Sequence, residues 1–359
     1  MTDRNTKYGA WPYLLLLLLA AIWGSSFILM KIGLFGWSEE GGPVMNGVQL
    51  GLLRICLAGL VMMPVALRYM RGLDRATWGG LAITGFIGSL LPAVLFAWSQ
   101  EQLPSAVAGM LNALSPLWTL VLAVGLYGTA VSRKQVAGLL LGFVGAMGLM
   151  SLKDASGAVQ WGSAGMLVLA TACYGLSINV MRNRLSHVPA IGISALALSM
   201  TAVPAGLGFV AAGGIQSVAG HPEAKPSLMA VVVLAWVGTA AALILFNALI
   251  KRTDALFASS VTYVIPLFAL FWGWMDGEWL GWPHLGLLHC ALHPLLWLRR
   301  LHDAETPELQ PRQARLQLRL GAVRGDRQPQ QQQRQLCGAD CTAARPPAAL
   351  ASGNKQRRA

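Results

Sequence analysis

The sequence predicts an all-α, polytopic membrane protein built as two inverted repeats of five transmembrane helices. Three observations predict this fold class. Of the 359 residues, 55% are hydrophobic and only 12% are charged, against roughly 25% charged in ordinary soluble domains. The apolar residues form stretches of roughly the 20 residues that a helix needs to cross a bilayer. Basic residues collect in every second loop, as they do in membrane proteins.

Nine apolar stretches are clear candidate spans, and a tenth, at 279–298, is weaker because it carries three histidines, which insert poorly into lipid. The first span is not a cleavable signal peptide, since its apolar run continues to Ile32 without a small-residue cleavage site. The nine spans are 11–32, 43–66, 77–98, 104–127, 135–152, 161–181, 189–212, 228–250 and 255–275.

The distribution of Lys and Arg predicts a cytoplasmic N-terminus, because basic residues are retained on that side of a membrane. One set of alternating loops holds eleven basic residues, whereas the other holds only Lys153 and Lys225. The eleven are Arg4, Lys7, Arg68, Arg71, Arg75, Arg133, Lys134, Arg182, Arg184, Lys251 and Arg252.

Two segments about 150 residues apart resemble each other. In each, a run of small residues leads to Asn112 or Thr262, and Pro116 or Pro266 follows four positions later. Proline-interrupted spans at corresponding places in two halves point to a transporter's binding site. Five spans per half, an odd number, predict that the second half is inverted relative to the first. The predicted domains are a first repeat at 11–152, a second repeat at 161–298 and a basic tail at 299–359.

Several motifs resemble EamA-type members of the drug/metabolite transporter superfamily, over roughly residues 11–284. They are Ala20-Ala-Ile-Trp-Gly-Ser-Ser-Phe, Ala106-Val-Ala-Gly-Met-Leu-Asn-Ala-Leu-Ser-Pro116, the glycine-spaced run 138–145, Ala258-Ser-Ser-Val-Thr-Tyr-Val-Ile-Pro266 and Gly277-Glu278-Trp-Leu. The resemblance implies ten helices in two inverted halves, a bacterial cytoplasmic (inner) membrane location, and export or exchange of small metabolites.

The sequence departs from that family in two places. The first repeat has Gly128-Thr129 where the family usually shows Gly-Glu. After about Leu285 the apolar, glycine-spaced tenth helix is replaced by a stretch with His289, His293 and Pro294, and then by a tail rich in Arg, Gln, Pro and Ala. We consider three explanations of the tail: a frameshift in a GC-rich gene, a disordered cytoplasmic arm, or an arm that binds RNA or lipid headgroups. The first is preferred.

Arg54 is the leading candidate for the substrate cavity. It lies about eleven residues into a span that starts near Pro43, roughly 16 Å deep. A charge at that depth costs at least ~2.5 kcal/mol on insertion scales, so it should face the interior and either contact an anionic substrate or bond helix carbonyls. Lys31, near the end of the first span, either snorkels to the headgroups or faces the cavity.

The remaining candidates surround the two prolines. Each proline frees a carbonyl in the preceding turn, which Asn112 and Thr262 are placed to satisfy, unless they contact substrate instead. Trp23, Tyr263, Pro116 and Pro266 complete the cavity candidates. Glu278 either carries a coupling proton, because burial raises a carboxyl pKa, or caps a helix or holds a gate.

We therefore expect a secondary transporter, an exporter or exchanger of amino acids or related polar metabolites that works by alternating access around a midplane site. The alternatives are a lipid flippase of the same architecture and a non-functional truncated product. We expect no enzyme activity, cofactor, metal site or nucleic-acid partner, because clustered acidic or His residues, a metal-binding Cys/His pattern and a phosphate-binding loop are all lacking. The expected partners are the small-molecule substrate and the bilayer; a coupling proton or ion and a homodimer stay open.

The frameshift hypothesis predicts that another reading frame of the gene, from about codon 285 onward, encodes an apolar helix with spaced glycines. Resequencing codons 275–300 and translating the downstream DNA in all three frames tests this. If none of the frames contains such a helix, the tail is genuine.

Overall fold

The computed structural model describes residues 10–38, 41–103, 108, 111–131, 133, 136–137, 139–140, 143–144, 161–253 and 255–275. All regular secondary structure in these residues is helical. Six helices among them are long and apolar enough to cross a membrane, which confirms an all-α membrane architecture. The predicted spans 135–152 and 279–298 lie largely or wholly outside the described residues, and so does the tail.

The described helices follow the predicted spans in order, and two of the long ones contain a π-helical segment. Those segments are Ile83–Leu90 within α3 and Trp236–Ala241 within α8. The helices are α1 (Ala10–Phe35), α2 (Gly47–Tyr69), α3 (Arg75–Ser99), α4 (Ser115–Tyr127), α5 (Trp161–Arg184), α6 (Ala190–Ala211), the short α7 (Gly214–Val218), α8 (Ala224–Arg252), α9 (Ala255–Ser259) and α10 (Val261–Met275).

Capping residues determine where α2 and α3 begin. Asn46 accepts a hydrogen bond from the main-chain N–H of Gln49, whose side chain accepts one from Asn46 in return. This capping box starts α2 at Gly47, later than the predicted 43. Asp74 caps α3 by accepting from the Thr77 N–H at 3.0 Å. Hydrogen bonds from Thr77 lower the pKa of the Asp74 carboxyl.

The spans predicted at 104–127 and 255–275 are both interrupted in the structure. Instead of one helix centred on Pro116, the chain turns at Ala113-Leu114 and a new helix, α4, begins at Ser115. Pro116 therefore lies in a first helical turn, where its missing N–H costs nothing. The second interruption is at Ser260, between α9 and α10, and Pro266 lies inside α10. Broken helices at membrane depth are typical of transporter binding sites.

The helices of the two halves pack through small residues, while large apolar side chains face outward. A side chain at Gly59 of α2 would collide with the Leu198 carbonyl oxygen of α6, and Ser199 Oγ donates to the Gly59 carbonyl at 3.2 Å. Close approach through glycine is characteristic of membrane helix pairs. Outward-facing residues such as Leu18 and Leu207 are half exposed or more, as expected of a surface in contact with lipid.

The crossing of α2 and α6 predicts that Gly59→Ala destabilises the protein, because the new methyl group must displace a main-chain carbonyl. Overpacking of this kind costs about 1–3 kcal/mol, seen as a lower unfolding temperature in detergent. The matched control is Gly125→Ala in α4, where an added methyl group has no neighbour within 4 Å among the described residues; it should leave stability unchanged or slightly raised. Equal effects of the two substitutions would contradict the proposed close contact.

Candidate functional site

An internal cavity lies between the first and second halves of the chain. Its wall is formed by α1, α2, α3, α5, α6 and α8, together with residues at both helix interruptions. Its volume of about 140 Å³ is room for roughly five water molecules at their liquid volume, and so for a small organic solute. The described part of the wall is mainly apolar, with hydroxyl and amide groups and a single charged side chain, Arg54.

Arg54 lies in the wall of this cavity, on α2. The helix midpoint is near Ala58, so Arg54 is one turn, about 6 Å, from the centre of the span. Arg54 Nε donates to Thr239 Oγ1 at 2.7 Å, and Nη1 lies 4.0 Å from Met30 Sδ. Within the described residues no carboxylate pairs with it. A guanidinium has five N–H donors, so several remain for a ligand.

Thr239 belongs to one of two matching π-helical segments in the cavity wall. Its hydroxyl donates to the Leu234 carbonyl at 3.0 Å, and in the other segment Ser89 Oγ donates to the Thr84 carbonyl at 3.2 Å. In both cases the acceptor lies five residues earlier. Ser89 and Thr239 are 150 positions apart, as are Pro116 and Pro266. The two halves therefore share this irregularity, and π-helical segments of this kind are common at functional sites.

The π-helical segment of α8 determines how Arg54 is held. Because the hydroxyl hydrogen of Thr239 is directed to Leu234, its oxygen is free to accept from Arg54. Trp23 of α1 lines the same wall, and its Nε1 donates to the Gly238 carbonyl at 3.1 Å. Thus α1, α2 and α8 meet around one hydrogen-bonded group.

At the two helix interruptions, Asn112 and Thr262 both line the cavity. Pro116 frees the Asn112 carbonyl, and the donor to it is Ser115 Oγ, at 2.8 Å. The Asn112 side chain is therefore not needed for the role that the sequence suggested. Thr262 Oγ1 donates to the Ser259 carbonyl at 3.0 Å, whereas the carbonyl that Pro266 frees is that of Thr262 itself.

The other candidates lie away from the cavity or outside the described residues. Lys31 is exposed and lies along a second hollow, near Trp37 and Trp272. Tyr263 is 1% exposed, and its hydroxyl donates to the Leu139 carbonyl at 3.0 Å. Pro116 and Pro266 are buried and shape the backbone around the cavity. Glu278 lies outside the described residues.

Sequence reasoning missed two hydroxyl groups of the wall, those of Ser89 and Thr239. Ser89 and Thr239 each follow a glycine, and both the Gly88-Ser89 and Gly238-Thr239 pairs recur at the 150-residue offset of the prolines. That recurrence was the signal that could have found them. Ser and Thr are common in membrane helices, so neither residue stands out alone.

Comparison with known proteins places this architecture in a family. A model of the EamA-like transporter family matches residues 10–151 and again 161–296, which is most of the chain. The chain belongs to the EamA-like transporter family. The two matches fall on the two halves that meet at the cavity.

Relatives of this EamA-like transporter are membrane transporters. It is 29% identical to the uncharacterized inner membrane transporter YedA of Escherichia coli over 76% of this chain and 86% of that one. It is 26% identical to an S-adenosylmethionine/S-adenosylhomocysteine transporter of Chlamydia trachomatis, over 73% and 80% of the two chains. A probable terminal-alkyne amino-acid exporter of Streptantibioticus cattleyicolor is 26% identical over 44% of this chain and 50% of its own.

A solved structure supports the same fold. A crystal structure of another protein superposes with a TM-score of 0.60 at 18% identity, covering 83% of this chain and 100% of that one. The family match and the named relatives indicate a multi-pass inner membrane transporter.

In this EamA-like transporter, Thr239→Val should raise KM for the transported substrate by about tenfold, since a hydrogen bond to a charged group is worth roughly 1.5–3 kcal/mol. Thr239→Ser keeps the acceptor and should restore most of the loss. The measurement is the concentration dependence of uptake by proteoliposomes.

The matched control for Thr239 is Ser89→Ala, which removes only the hydrogen bond to the carbonyl five residues earlier. An equal rise in KM for Ser89→Ala would show that the π-helical backbone, and not the contact with Arg54, is responsible.

Proposed function

We propose that the chain is a secondary transporter, an exporter or exchanger, of small organic metabolites that carry a carboxylate, such as amino acids and related polar compounds. The observation that carries this proposal is the Arg54 guanidinium, which lines the cavity without a carboxylate partner among the described residues. A charge near the membrane centre is costly unless it is paired or hydrated. A carboxylate on the substrate would provide the pairing, with two oxygens that match the planar guanidinium.

The relatives support this substrate class. One is named for an amino acid and another for S-adenosylmethionine and S-adenosylhomocysteine, and all of these molecules contain an amino-acid carboxylate. The remainder of the cavity wall is compatible with such ligands, because it combines aromatic faces such as Phe246 with hydroxyl groups such as Ser177 and Thr262.

We further propose two inverted repeats of five helices, 11–152 and 161–298, with a cytoplasmic N-terminus. The interrupted helices and the two π-helical segments support this arrangement, since Pro116 and Pro266 are 150 positions apart, as are Ser89 and Thr239. Five crossings per repeat place corresponding elements in opposite orientations. Such pairs provide one gate on each side of a central site.

Hydrogen bonds join the two halves at both ends of the helices. At the end where α1 stops, the Trp37 N–H donates to Glu223 Oε2 at 2.8 Å. At the opposite end, Thr77 Oγ1 lies 2.9 Å from His187 Nε2. In the proposed cycle one of these contacts opens while the other stays closed, and the cavity becomes accessible from one side at a time.

Arg54→Gln should abolish counterflow of a labelled amino-acid substrate in proteoliposomes while leaving membrane insertion intact, because the amide is polar but carries no charge. Arg54→Lys, which keeps the charge but not the planar fork, should retain partial activity. Unchanged transport by Arg54→Gln would falsify the carboxylate-binding role.

A further inference from the structure

Asn247 of α8 is a buried amide in the cavity wall whose orientation is determined by its neighbour. It is 2% exposed, and its Nδ2 donates to Ser194 Oγ of α6 at 2.7 Å. Ser194 Oγ in turn donates to the Ala190 carbonyl at 3.2 Å. Because the hydroxyl hydrogen is used there, Ser194 can only accept from Asn247, so the amide must present its nitrogen to Ser194.

The amide oxygen on the other side, Asn247 Oδ1, is buried without a hydrogen-bond partner among the described residues. Buried polar atoms are almost always paired, and an unpaired one costs about 1–3 kcal/mol. Gln100 Oε1 shares this property but does not line the cavity. Asn247 therefore combines an unused acceptor with a position in the proposed substrate site.

We infer that Asn247 Oδ1 accepts a hydrogen bond from an N–H group, charged or neutral, on a substrate whose carboxylate pairs with Arg54. This inference rests on the proposed function and narrows its substrate class to carboxylates that also carry a nitrogen donor. Asn247 lies eight positions beyond Thr239 on α8, roughly 12 Å along the helix. The donor is either a more distant amine on the side chain of an amino acid or its α-ammonium, which can bridge the two groups only if the side chains of Arg54 and Asn247 shorten that separation.

Asn247 also joins α6 to α8, so a purely structural role must be distinguished from ligand recognition. Pairs of ligands that differ in one nitrogen distinguish the two roles, because a loss of packing would affect both members of a pair equally. L-Leucine and 4-methylpentanoate differ in the α-ammonium, and L-lysine and L-norleucine differ in the side-chain amine. The matched control residue is Asn179, also buried, which does not line the cavity and donates from Nδ2 to the carbonyls of Thr119 and Gly175.

The experiment measures apparent Kd from ligand-induced shifts in the unfolding temperature of the purified full chain. In the wild type, one pair should show about tenfold tighter binding of the member with the additional nitrogen. Asn247→Leu should reduce that ratio to about one and leave the affinity for the other member unchanged. Asn179→Leu should lower the unfolding temperature without ligand but preserve the ratio. If Asn247→Leu is not recovered, Asn247→Ala removes the same acceptor.

Three other outcomes are possible, and each contradicts a different part of the proposal. A ratio that persists in both Asn247 variants assigns Asn247 to helix packing alone. Equal binding of both members of both pairs by the wild type refutes the nitrogen donor but leaves the carboxylate site intact. Absence of binding by all four compounds refutes the proposed carboxylate site, and this inference with it.

Discussion

The need of every main-chain carbonyl in the membrane for a hydrogen-bond donor governs the irregular parts of this structure. Lipid offers no water to such groups, so each departure from the α-helix requires a side chain to compensate for it. Ser115 donates to the Asn112 carbonyl, which Pro116 frees. Ser89 donates to the Thr84 carbonyl in the π-helical segment of α3, and Trp23 donates to the Gly238 carbonyl in that of α8. These compensating side chains all lie around one cavity, which is where a membrane protein can tolerate interrupted helices.

The same requirement explains why a charged group can reside there. The Thr239 hydroxyl donates a hydrogen bond to a carbonyl of its own helix and accepts one from Arg54. The guanidinium is thereby oriented by a neutral group and keeps its full charge for a ligand. A carboxylate partner from the protein would have stabilised Arg54 more strongly, but it would also have competed with an anionic substrate. In the proposed function, binding of an anionic substrate would supply the missing pairing energy and favour its selective entry into an apolar site.

The sequence predicted the long helices well, because their apolar runs and charged ends depend only on composition along the chain. The span 161–181, for example, corresponds to Trp161–Arg184. It also predicted that Arg54 faces the interior, since a charged side chain is costly where it faces lipid. It did not predict that the helix breaks just before Ser115, because a proline indicates that a helix is interrupted nearby but not at which residue. It could not place Lys31 or Tyr263 relative to the cavity, because helix rotation is determined by packing between helices. The sequence analysis did not identify Ser89 and Thr239, because their role depends on π-helical distortions of the backbone that cannot be read from composition.

The paired π-helical segments have a consequence for the history of the chain. A distortion with the same hydroxyl-to-carbonyl bond at the same offset in both halves is most simply inherited from a common ancestor of the two halves. That ancestor would already have carried the irregular wall before the gene duplicated, and two copies of it would have enclosed a symmetric cavity. After duplication the halves were free to diverge. Of the two matching hydroxyls, Arg54 is hydrogen-bonded to that of Thr239, so on this view a cavity with two equivalent walls would have become one with a distinct cationic side.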